Sequence, residues 1–132
     1  MTAPPAPEFD QPNLMQVLAA LDEAALDSLG YGVIGFGKEP EARIVRYNAF
    51  ESRGSGLDRR RVLGQALFGV VAQCMNNDWV AQRFEDAVAG HQRLDETLAY
   101  TFTLRMKPSP VVLRLLSSPA HEMQFIAVRW QT

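Results

Sequence analysis

Apolar and polar side chains alternate between residues 98 and 106, and this pattern limits the possible folds more than any other feature of the chain. A period of two is typical of a β-strand that buries one face and exposes the other. Two further apolar runs follow at 111–116 and 123–130, each preceded by a turn that contains proline. Three consecutive strands joined by turns predict an antiparallel sheet. The alternating apolar positions are Leu98, Tyr100, Phe102, Leu104 and Met106.

The first half of the chain adds a second strand pair and several helices. Strands are predicted at 31–36 and 43–47, and glycine and proline between them indicate a hairpin turn. Residues 79–89 predict an amphipathic helix, with an apolar stripe that begins at Trp79 and includes Phe84. A strand pair, a helical middle and three strands predict an α+β domain, in which helices flank a five-stranded antiparallel sheet.

The N-terminal region predicts a leader followed by two short helices. The first dozen residues are rich in proline and lack apolar periodicity, which indicates a flexible leader. Asn13 and Asp22 are candidate N-caps for helices at 14–21 and 23–29, and Gly30 follows the second helix. The predicted parts are a leader with an N-terminal helical cap at 1–29 and a core at 30–132.

Bulk composition excludes several function classes. The chain has 132 residues, 47% of them hydrophobic, and a formal net charge of −2, which predicts one domain with no bias towards nucleic acid. The arginines at 59–61 are better explained as a solvated helix face than as a nucleic-acid patch. No apolar run approaches the roughly 20 residues of a membrane-spanning helix. One cysteine and no signal-peptide pattern predict a cytoplasmic protein without an internal disulfide.

Few residues suggest enzymatic or metal chemistry. His91 and His121 have no partner at metal-ligand spacing, so a zinc site is not predicted. The glycines at 30–35 lack the strand-to-helix context of a phosphate loop. A cysteine nucleophile at Cys74 requires a histidine base and an oxyanion site, and the sequence indicates neither. We therefore predict that the protein is not an enzyme.

A group of polar residues ahead of the single cysteine is the strongest candidate site. Tyr47, Glu51 and Ser55 follow one another at steps of four, and an apolar run then leads to Cys74. Side chains at this spacing in a helical or tightly turned backbone share one side. They form either a hydrogen-bonded cluster around a ligand, or a strand-end aromatic, a solvated carboxylate and a turn residue that precede a buried structural thiol.

The order of several short motifs resembles the photoactive yellow proteins, a family of small bacterial blue-light receptors of the PAS class. The motifs are Tyr47-Asn48-Ala49-Phe50-Glu51, then Ser55-Gly56, then Val71-Ala72-Gln73-Cys74, with further similarity at Tyr100-Thr101-Phe102, at Met106 and in the run Gly30-Tyr31-Gly32-Val33-Ile34. The similarity extends over most of the chain. It implies a PAS-like single domain whose N-terminal helices cap the outer face of the sheet.

The resemblance also implies a chromophore and a mechanism. p-Coumaric acid (4-hydroxycinnamic acid) is expected on Cys74 as a thioester, with Tyr47 and a protonated Glu51 donating to its phenolate and Ser55 orienting Tyr47. Light then isomerises the chromophore from trans to cis, Glu51 gives up its proton, and the N-terminal cap partly unfolds. The expected pocket residues are Ile34, Val71, Ala72, Phe102 and Met106, of which Met106 speeds the return of the isomerised chromophore.

Three residues depart from the family pattern, and they affect how far the resemblance can be carried. Leu57 stands where many members have arginine, Gln73 replaces proline, and Leu104 replaces an aromatic residue. The arginine's role as a lid is therefore in doubt here. The main alternative is a chromophore-free PAS-like protein–protein interaction module that works through its sheet surface. In either case we expect a downstream signalling protein of unknown identity, and a monomer or weak homodimer.

Overall fold

A computed structural model describes residues 6–103 and 107–131. Five α-helices lie within these ranges, together with a π-helical turn at Leu67–Val71 and a 3-10 turn at Gln73–Met75. The α-helices are α1 (Leu14–Ala20), α2 (Glu23–Asp27), α3 (Ala49–Ser55), α4 (Arg59–Val62) and α5 (Ala81–Ala89). The strands are β1 (Gly32–Phe36), β2 (Ile44–Tyr47), β3 (Leu94–Phe102), β4 (Ser109–Ser117) and β5 (Gln124–Trp130).

The strands form one antiparallel five-stranded sheet in the order β2-β1-β5-β4-β3. The hairpins predicted from the sequence are present, and β5 joins the two halves of the sheet by pairing with both β1 and β4. Ile34 of β1 therefore lies opposite both Tyr47 and Ile126. The predicted α+β fold with flanking helices is confirmed. The alternation in β3 is present too, although the strand begins at Leu94, and Leu104 and Met106 lie outside the described residues.

Each face of the sheet carries its own hydrophobic core. On one face, Tyr47, Phe102 and the π-helical turn pack together with Phe84 of α5. On the other face, α1 and α2 pack through Leu14, Leu18 and Leu26. Helices as short as α1 and α2 are marginal in isolation, so this burial is what holds them. The N-terminal helices thus cap the outer face of the sheet, as expected.

The segment before α1 differs from the flexible leader that its composition predicts, because residues 7–11 are attached to the sheet. Phe9 is buried, and its ring packs edge-on to Tyr31 at 5.6 Å between centroids. The Tyr31 hydroxyl donates to the Pro7 carbonyl oxygen at 2.8 Å. Arg114 of β4 donates to the carbonyl oxygens of Phe9 and Gln11, both at 2.7 Å. Proline content alone misses these contacts, since Tyr31 lies 24 positions from Pro7 and Arg114 lies 105 positions from Phe9.

Two local predictions are wrong, for reasons that the hydrogen bonds show. Trp79 is 63% exposed and lies before α5, not on its buried stripe. The Asn77 side chain accepts from the backbone N–H groups of Trp79 and Val80, which sets the chain direction ahead of the helix. Asn13 makes no side-chain cap to α1 and accepts from Gln11 instead. Asp22 does cap α2 by accepting from Ala25 N–H at 2.9 Å.

Candidate functional site

The helix α3 presents two buried polar side chains to the interior. Asn48 caps the helix by accepting from Glu51 N–H at 3.1 Å, and Gly56 ends it in the left-handed conformation with φ of 78°. Glu51 and Ser55 are one turn apart and both buried, so they share the inner face of α3. Tyr47 is the last residue of β2 and lies outside the helix. The three predicted polar residues therefore come from the end of β2 and from α3, two elements that are separated only by Asn48.

Tyr47 and Ser55 form a hydrogen bond between their hydroxyl groups, with 2.8 Å between the oxygens. The Ser55 oxygen also accepts from Leu57 N–H at 3.2 Å. Burial raises the pKa of Tyr47 well above its usual range, and the nearby Glu51 carboxyl raises it further, while the bond to Ser55 acts in the opposite direction. Tyr47 therefore keeps its phenolic proton over the whole physiological pH range.

The Glu51 carboxyl is enclosed by protein. Its residue is 1% exposed, and Trp130 Nε1 donates to Oε1 at 2.9 Å. A Cβ atom at Gly32 would lie 2.0 Å from the same oxygen, so glycine is what leaves room for the carboxyl beside β1. Burial raises the pKa of Glu51 from 4.5 to about 8, and the hydrogen bond from Trp130 partly offsets that rise. Glu51 is therefore mostly a neutral acid, and a potential proton donor, at neutral pH.

Cys74 lies in the 3-10 turn that follows the π-helical turn, and its side chain is partly buried against the same core cluster that contains Tyr47. It is a free thiol. Its carbonyl oxygen accepts two hydrogen bonds, one from the Tyr100 hydroxyl and one from Asn77 Nδ2 at 3.1 Å. Asn77 also donates to the Tyr100 hydroxyl at 2.6 Å. The backbone that carries the thiol is thus fixed from β3 and from the segment that precedes α5.

A series of contacts connects Cys74 to Glu51 along one side of the core. From Tyr100, which holds the Cys74 carbonyl, the ring of Phe102 is 6.2 Å away between centroids. The Phe102 ring is 5.4 Å from that of Trp130, in an edge-on arrangement. Trp130 in turn donates to Glu51. The thiol and the buried acid therefore border one continuous apolar and aromatic region.

The apolar residues predicted for the pocket fall in this region where the structure describes them. Ile34, Ala72 and Phe102 are buried in the same cluster as Tyr47, and Val71 packs against it from a partly exposed position. Met106 lies outside the described residues. Val71 is the last residue of the π-helical turn and is partly exposed, whereas Ala72 follows the turn and is buried.

Three further residues at the site are not among the predicted ones. Trp130 binds Glu51, while Asn77 and Tyr100 hold the Cys74 carbonyl. The sequence marks Trp130 only as the end of an apolar strand, and it marks Tyr100 as a strand aromatic within one of the similar motifs, without a role at the site. Trp130 and Glu51 are separated by 79 positions, so their contact depends on β5 lying next to β1 in the sheet.

The departures Leu57 and Gln73 occupy different environments. Leu57 is partly buried against the cluster of Tyr47 and Phe102, and its carbonyl oxygen accepts from Ser52 Oγ at 2.6 Å. Gln73 is exposed and donates to the Gly69 carbonyl oxygen at 3.0 Å, which closes the π-helical turn. Leu57 thus places an apolar side chain beside the polar group, and Gln73 supports the turn that precedes the thiol.

A concave site lies away from this group, between the β1–β2 turn and α5. Its volume is about 280 Å³, and its walls include the rings of Phe36, Phe68 and Phe84. These rings pack on one another with centroids 4.9 to 6.3 Å apart. It contains neither the thiol nor the buried acid. The described residues hold no cluster of His, Cys, Asp and Glu suited to a metal, and none of their helices is long and apolar enough to span a membrane.

The chemistry of the main site follows from its donors. Two buried O–H groups, on Tyr47 and on neutral Glu51, lie together in apolar surroundings. Such donors stabilise an anionic oxygen that burial alone would protonate. The free thiol of Cys74 borders the same cluster and is a residue type that forms covalent acyl bonds. The arrangement suits a covalently held ligand with an acidic hydroxyl at its far end.

Two curated relatives of this chain are described as photoactive yellow proteins. No protein-family model matches it. The photoactive yellow protein of Halochromatium salexigens is 26% identical over 121 residues, which cover 92% of this chain and 94% of that protein. The photoactive yellow protein of Rhodothalassium salexigens is 25% identical over 122 residues, covering 92% of this chain and 95% of that protein.

One solved structure similar to this chain is also a photoactive yellow protein domain. The photoactive yellow protein domain of the sensor histidine kinase Ppr from Rhodospirillum centenum is 31% identical and has a TM-score of 0.78. The similarity covers 87% of this chain and 98% of that domain. The Rhodobacter sphaeroides LOV protein is only 17% identical, with a TM-score of 0.62 over 90% of this chain, and so shares the fold alone.

Proposed function

We propose, because this chain belongs to the photoactive yellow protein family, that it is a blue-light receptor whose p-coumaric acid chromophore is attached to Cys74 as a thioester. The observation that carries the proposal is the pair of buried O–H donors, Tyr47 and neutral Glu51, on the cluster that Cys74 borders. When bound, p-coumaric acid supplies blue-light absorption, trans-to-cis isomerisation and a phenolate oxygen that accepts a proton.

The residues present fit this group. A phenolate in an apolar site requires donors that retain their protons, and burial raises the pKa of both Tyr47 and Glu51. Hydrogen bonds to a charged acceptor are stronger than bonds between neutral groups. Cys74 would hold the acyl end, and Ile34, Val71, Ala72, Phe102 and Met106 would line the pocket.

Each polar residue has a separate role in the proposal. Tyr47 donates a hydrogen bond from its hydroxyl to the ligand oxygen and keeps its proton. Ser55 fixes the direction of that hydroxyl through the 2.8 Å contact. In the dark, Glu51 donates a hydrogen bond from its acid O–H to the same ligand oxygen. After illumination it releases that proton, and a carboxylate is left in an environment with 1% exposure. An unpaired buried charge costs several kcal/mol, which destabilises the surrounding packing.

The proposed output is a change in protein interactions. The charge on Glu51 loosens α3, and the N-terminal cap of residues 1–29 partly unfolds from the core of residues 30–132 to form the signalling state. We place the protein in the cytoplasm, as a monomer or weak homodimer that passes the signal to a downstream protein and catalyses no reaction. The R. centenum relative is a domain of a sensor histidine kinase, so a kinase is one class of partner to test.

Reconstitution tests the assignment directly. The purified protein is mixed with an activated p-coumaroyl ester and then examined by intact mass and absorption. We expect the mass to rise by one coumaroyl group, a yellow product, and loss of both with hydroxylamine, because thioesters are cleaved by that nucleophile. Cys74→Ala should remain unlabelled and colourless.

Two outcomes contradict the proposal. A yellow, covalently labelled Cys74→Ala would place the attachment elsewhere. A folded wild-type protein that takes up no label would favour the alternative, a chromophore-free PAS-like interaction module in which Cys74 is a structural thiol.

A further inference from the structure

Trp130 binds the buried acid, yet no role in the proposed function has been given to it. It is the last residue of β5 and is half-buried, and its Nε1 lies 2.9 Å from Glu51 Oε1. An indole N–H is a donor and never an acceptor. The carbonyl oxygen of a neutral acid is a better acceptor than its hydroxyl oxygen, so the contact of Trp130 with Oε1 favours the acid proton on Oε2.

The fold provides a fitted space for this contact. A Cβ atom at Gly54 of α3 would lie 2.6 Å from the Trp130 ring, and one at Gly32 of β1 would lie 2.0 Å from Glu51 Oε1. Neither distance is compatible with a side chain, so both glycines are needed for the indole and the carboxyl to meet. The ring of Phe102 packs edge-on against the indole from a third side. Trp130 is thus held in place from α3 and β3.

We propose that Trp130 is a positioning residue for proton release by Glu51: its N–H holds Oε1, directs the acid proton to Oε2, and stabilises the carboxylate that remains. The balance is simple, because the proton leaves Oε2 for the ligand oxygen while both electrons of the O–H bond stay on Glu51. The role in proton release rests on the proposed function. The contact and its effect on the acid belong to the protein without any ligand.

Physical chemistry gives the direction of the effect. A hydrogen bond to a carboxylate is stronger than one to a neutral acid, so the indole favours the ionised form. The lowering of the Glu51 pKa by Trp130, against the larger rise from burial, agrees with this direction. Removal of the N–H should therefore make Glu51 a weaker acid and a slower proton donor.

Other ionisable groups near α3 have partners of their own. Tyr47 reaches the site from β2, and its raised pKa keeps it protonated where Glu51 titrates. Asp27 of α2 accepts from Ala49 N–H and pairs with Arg59 at 2.7 Å, at the outer end of the helix. Arg129, which precedes Trp130, faces Asp10 and the Phe9 ring on the other side of the sheet.

The two tryptophans of the chain allow a test without chromophore. Trp79→Phe leaves Trp130 as the single tryptophan, whose emission can be excited selectively over that of the tyrosines, and Trp79 itself is 63% exposed and takes no part in the contacts of the site. Indole emission responds to a charge that appears beside its N–H. We expect the emission of Trp79→Phe to titrate with a midpoint near the Glu51 value of about 8, and the added substitution Glu51→Gln to abolish that titration.

The matched variant is Trp130→Phe, which keeps an aromatic ring and leaves Trp79 as the single tryptophan. Its emission should show no such titration. The infrared band of the neutral Glu51 carboxyl, identified by its loss in Glu51→Gln, should then disappear at a pH about one unit higher than in wild type. Gly54→Ala should act in the same direction by displacing the indole.

Two results would overturn the inference. One is emission of Trp79→Phe that is identical with and without Glu51→Gln between about pH 6 and pH 10, a window set by the raised pKa. The other is an unchanged Glu51 infrared titration in a folded Trp130→Phe, which would leave Trp130 a purely structural role. If Trp130→Phe does not fold, the comparison within Trp79→Phe still decides. All these measurements use chromophore-free protein, so a failure of pigment attachment would be seen separately.

Discussion

Glu51 shows most clearly how one residue can combine an energetic cost with a function. A carboxyl group is accommodated in a site with 1% exposure because its neutral form needs fewer partners than its ion. Trp130 donates a hydrogen bond to it, and Gly32 leaves space for it beside β1. The same features that keep the acid neutral make its ionisation disruptive, which is what a proton-driven switch requires.

The raised pKa of Glu51 predicts how stability depends on pH. A carboxyl whose folded pKa of about 8 exceeds its ordinary 4.5 destabilises the folded state as pH rises between those values. The full span corresponds to at most about 5 kcal/mol in the free energy of unfolding. We compare the free energy of unfolding in urea at about pH 5 and at about pH 9, in chromophore-free protein. Between the first pH and the second, wild type should lose more stability than Glu51→Gln does.

The control for this experiment is Glu41→Gln, which removes a carboxylate from an exposed position. It should follow the wild-type pH dependence. If the difference between wild type and Glu51→Gln were the same at both pH values, Glu51 would not be a neutral acid in the folded protein.

At the residue scale, the sequence predicts the identity of the polar group better than its geometry. Tyr47, Glu51 and Ser55 are indicated by their spacing, but Tyr47 belongs to a strand and only the other two share a helix face. Trp130 is missed because its contact with Glu51 depends on how β5 enters the sheet. Short-range spacing carries no information about such a partner.

At the scale of elements, strand order and most helices are predictable, while attachments between distant segments are not. Alternation, apolar runs and turn residues indicate the five strands, and Asp22 marks the start of α2 by its capping side chain. The anchoring of residues 7–11, in contrast, has no local sequence signal. It depends on Arg114, which reads in the sequence as one charged residue within an apolar strand.

Arg114 holds the N-terminal segment to the outer face of the sheet. Its side chain is 7% exposed, pairs through two nitrogens with both oxygens of Asp95, and donates to the carbonyls of Phe9 and Gln11. Lysine keeps the charge but lacks the planar fork that serves four acceptors. Arg114→Lys should therefore destabilise the attachment of residues 7–11 by about 1 to 3 kcal/mol.

Hydrogen exchange of residues 7–20 measures this effect, and Arg60→Lys is the matched control. Arg60 also pairs with an aspartate, but its side chain is 89% exposed, so its replacement should change little. Faster exchange confined to the N-terminal segment of Arg114→Lys is the expected pattern. Equal exchange in the two variants would show that the Arg114 contacts do not hold the segment.

At the scale of the whole molecule, the site and the cap lie on opposite faces of one sheet, and Asn48 connects them. Its Oδ1 accepts from Glu51 N–H and from Val33 N–H, and its Nδ2 donates to the carbonyl oxygens of Leu26 and Tyr31 at 2.9 and 3.0 Å. A displacement of the first turn of α3 must therefore strain the end of α2. Under the proposed function, a charge on Glu51 would reach the N-terminal helices through these Asn48 hydrogen bonds.

The route predicts a light-dependent release of the cap in reconstituted protein. Illumination should replace the infrared band of neutral Glu51 with that of a carboxylate, and α1 and α2 should then lose hydrogen-exchange protection. They are the elements expected to yield, because helices of seven and five residues depend on packing for their stability. Glu51→Gln cannot leave a carboxylate at this position, so its cap should stay protected after the same illumination.

A second variant separates the charge from the connection that transmits it. Asn48→Ala keeps Glu51 but removes the bonds to Leu26 and Tyr31, so the cap should exchange faster already in the dark and respond less to light. Equal protection of residues 14–27 in light and dark, measured on fully photoconverted wild type, would contradict the coupling while leaving the pigment assignment intact. If the cap of Asn48→Ala still responded fully to light, Asn48 would not transmit the change. The contacts of Arg114 would then be tested next, since they join the N-terminal segment to the sheet independently of α3.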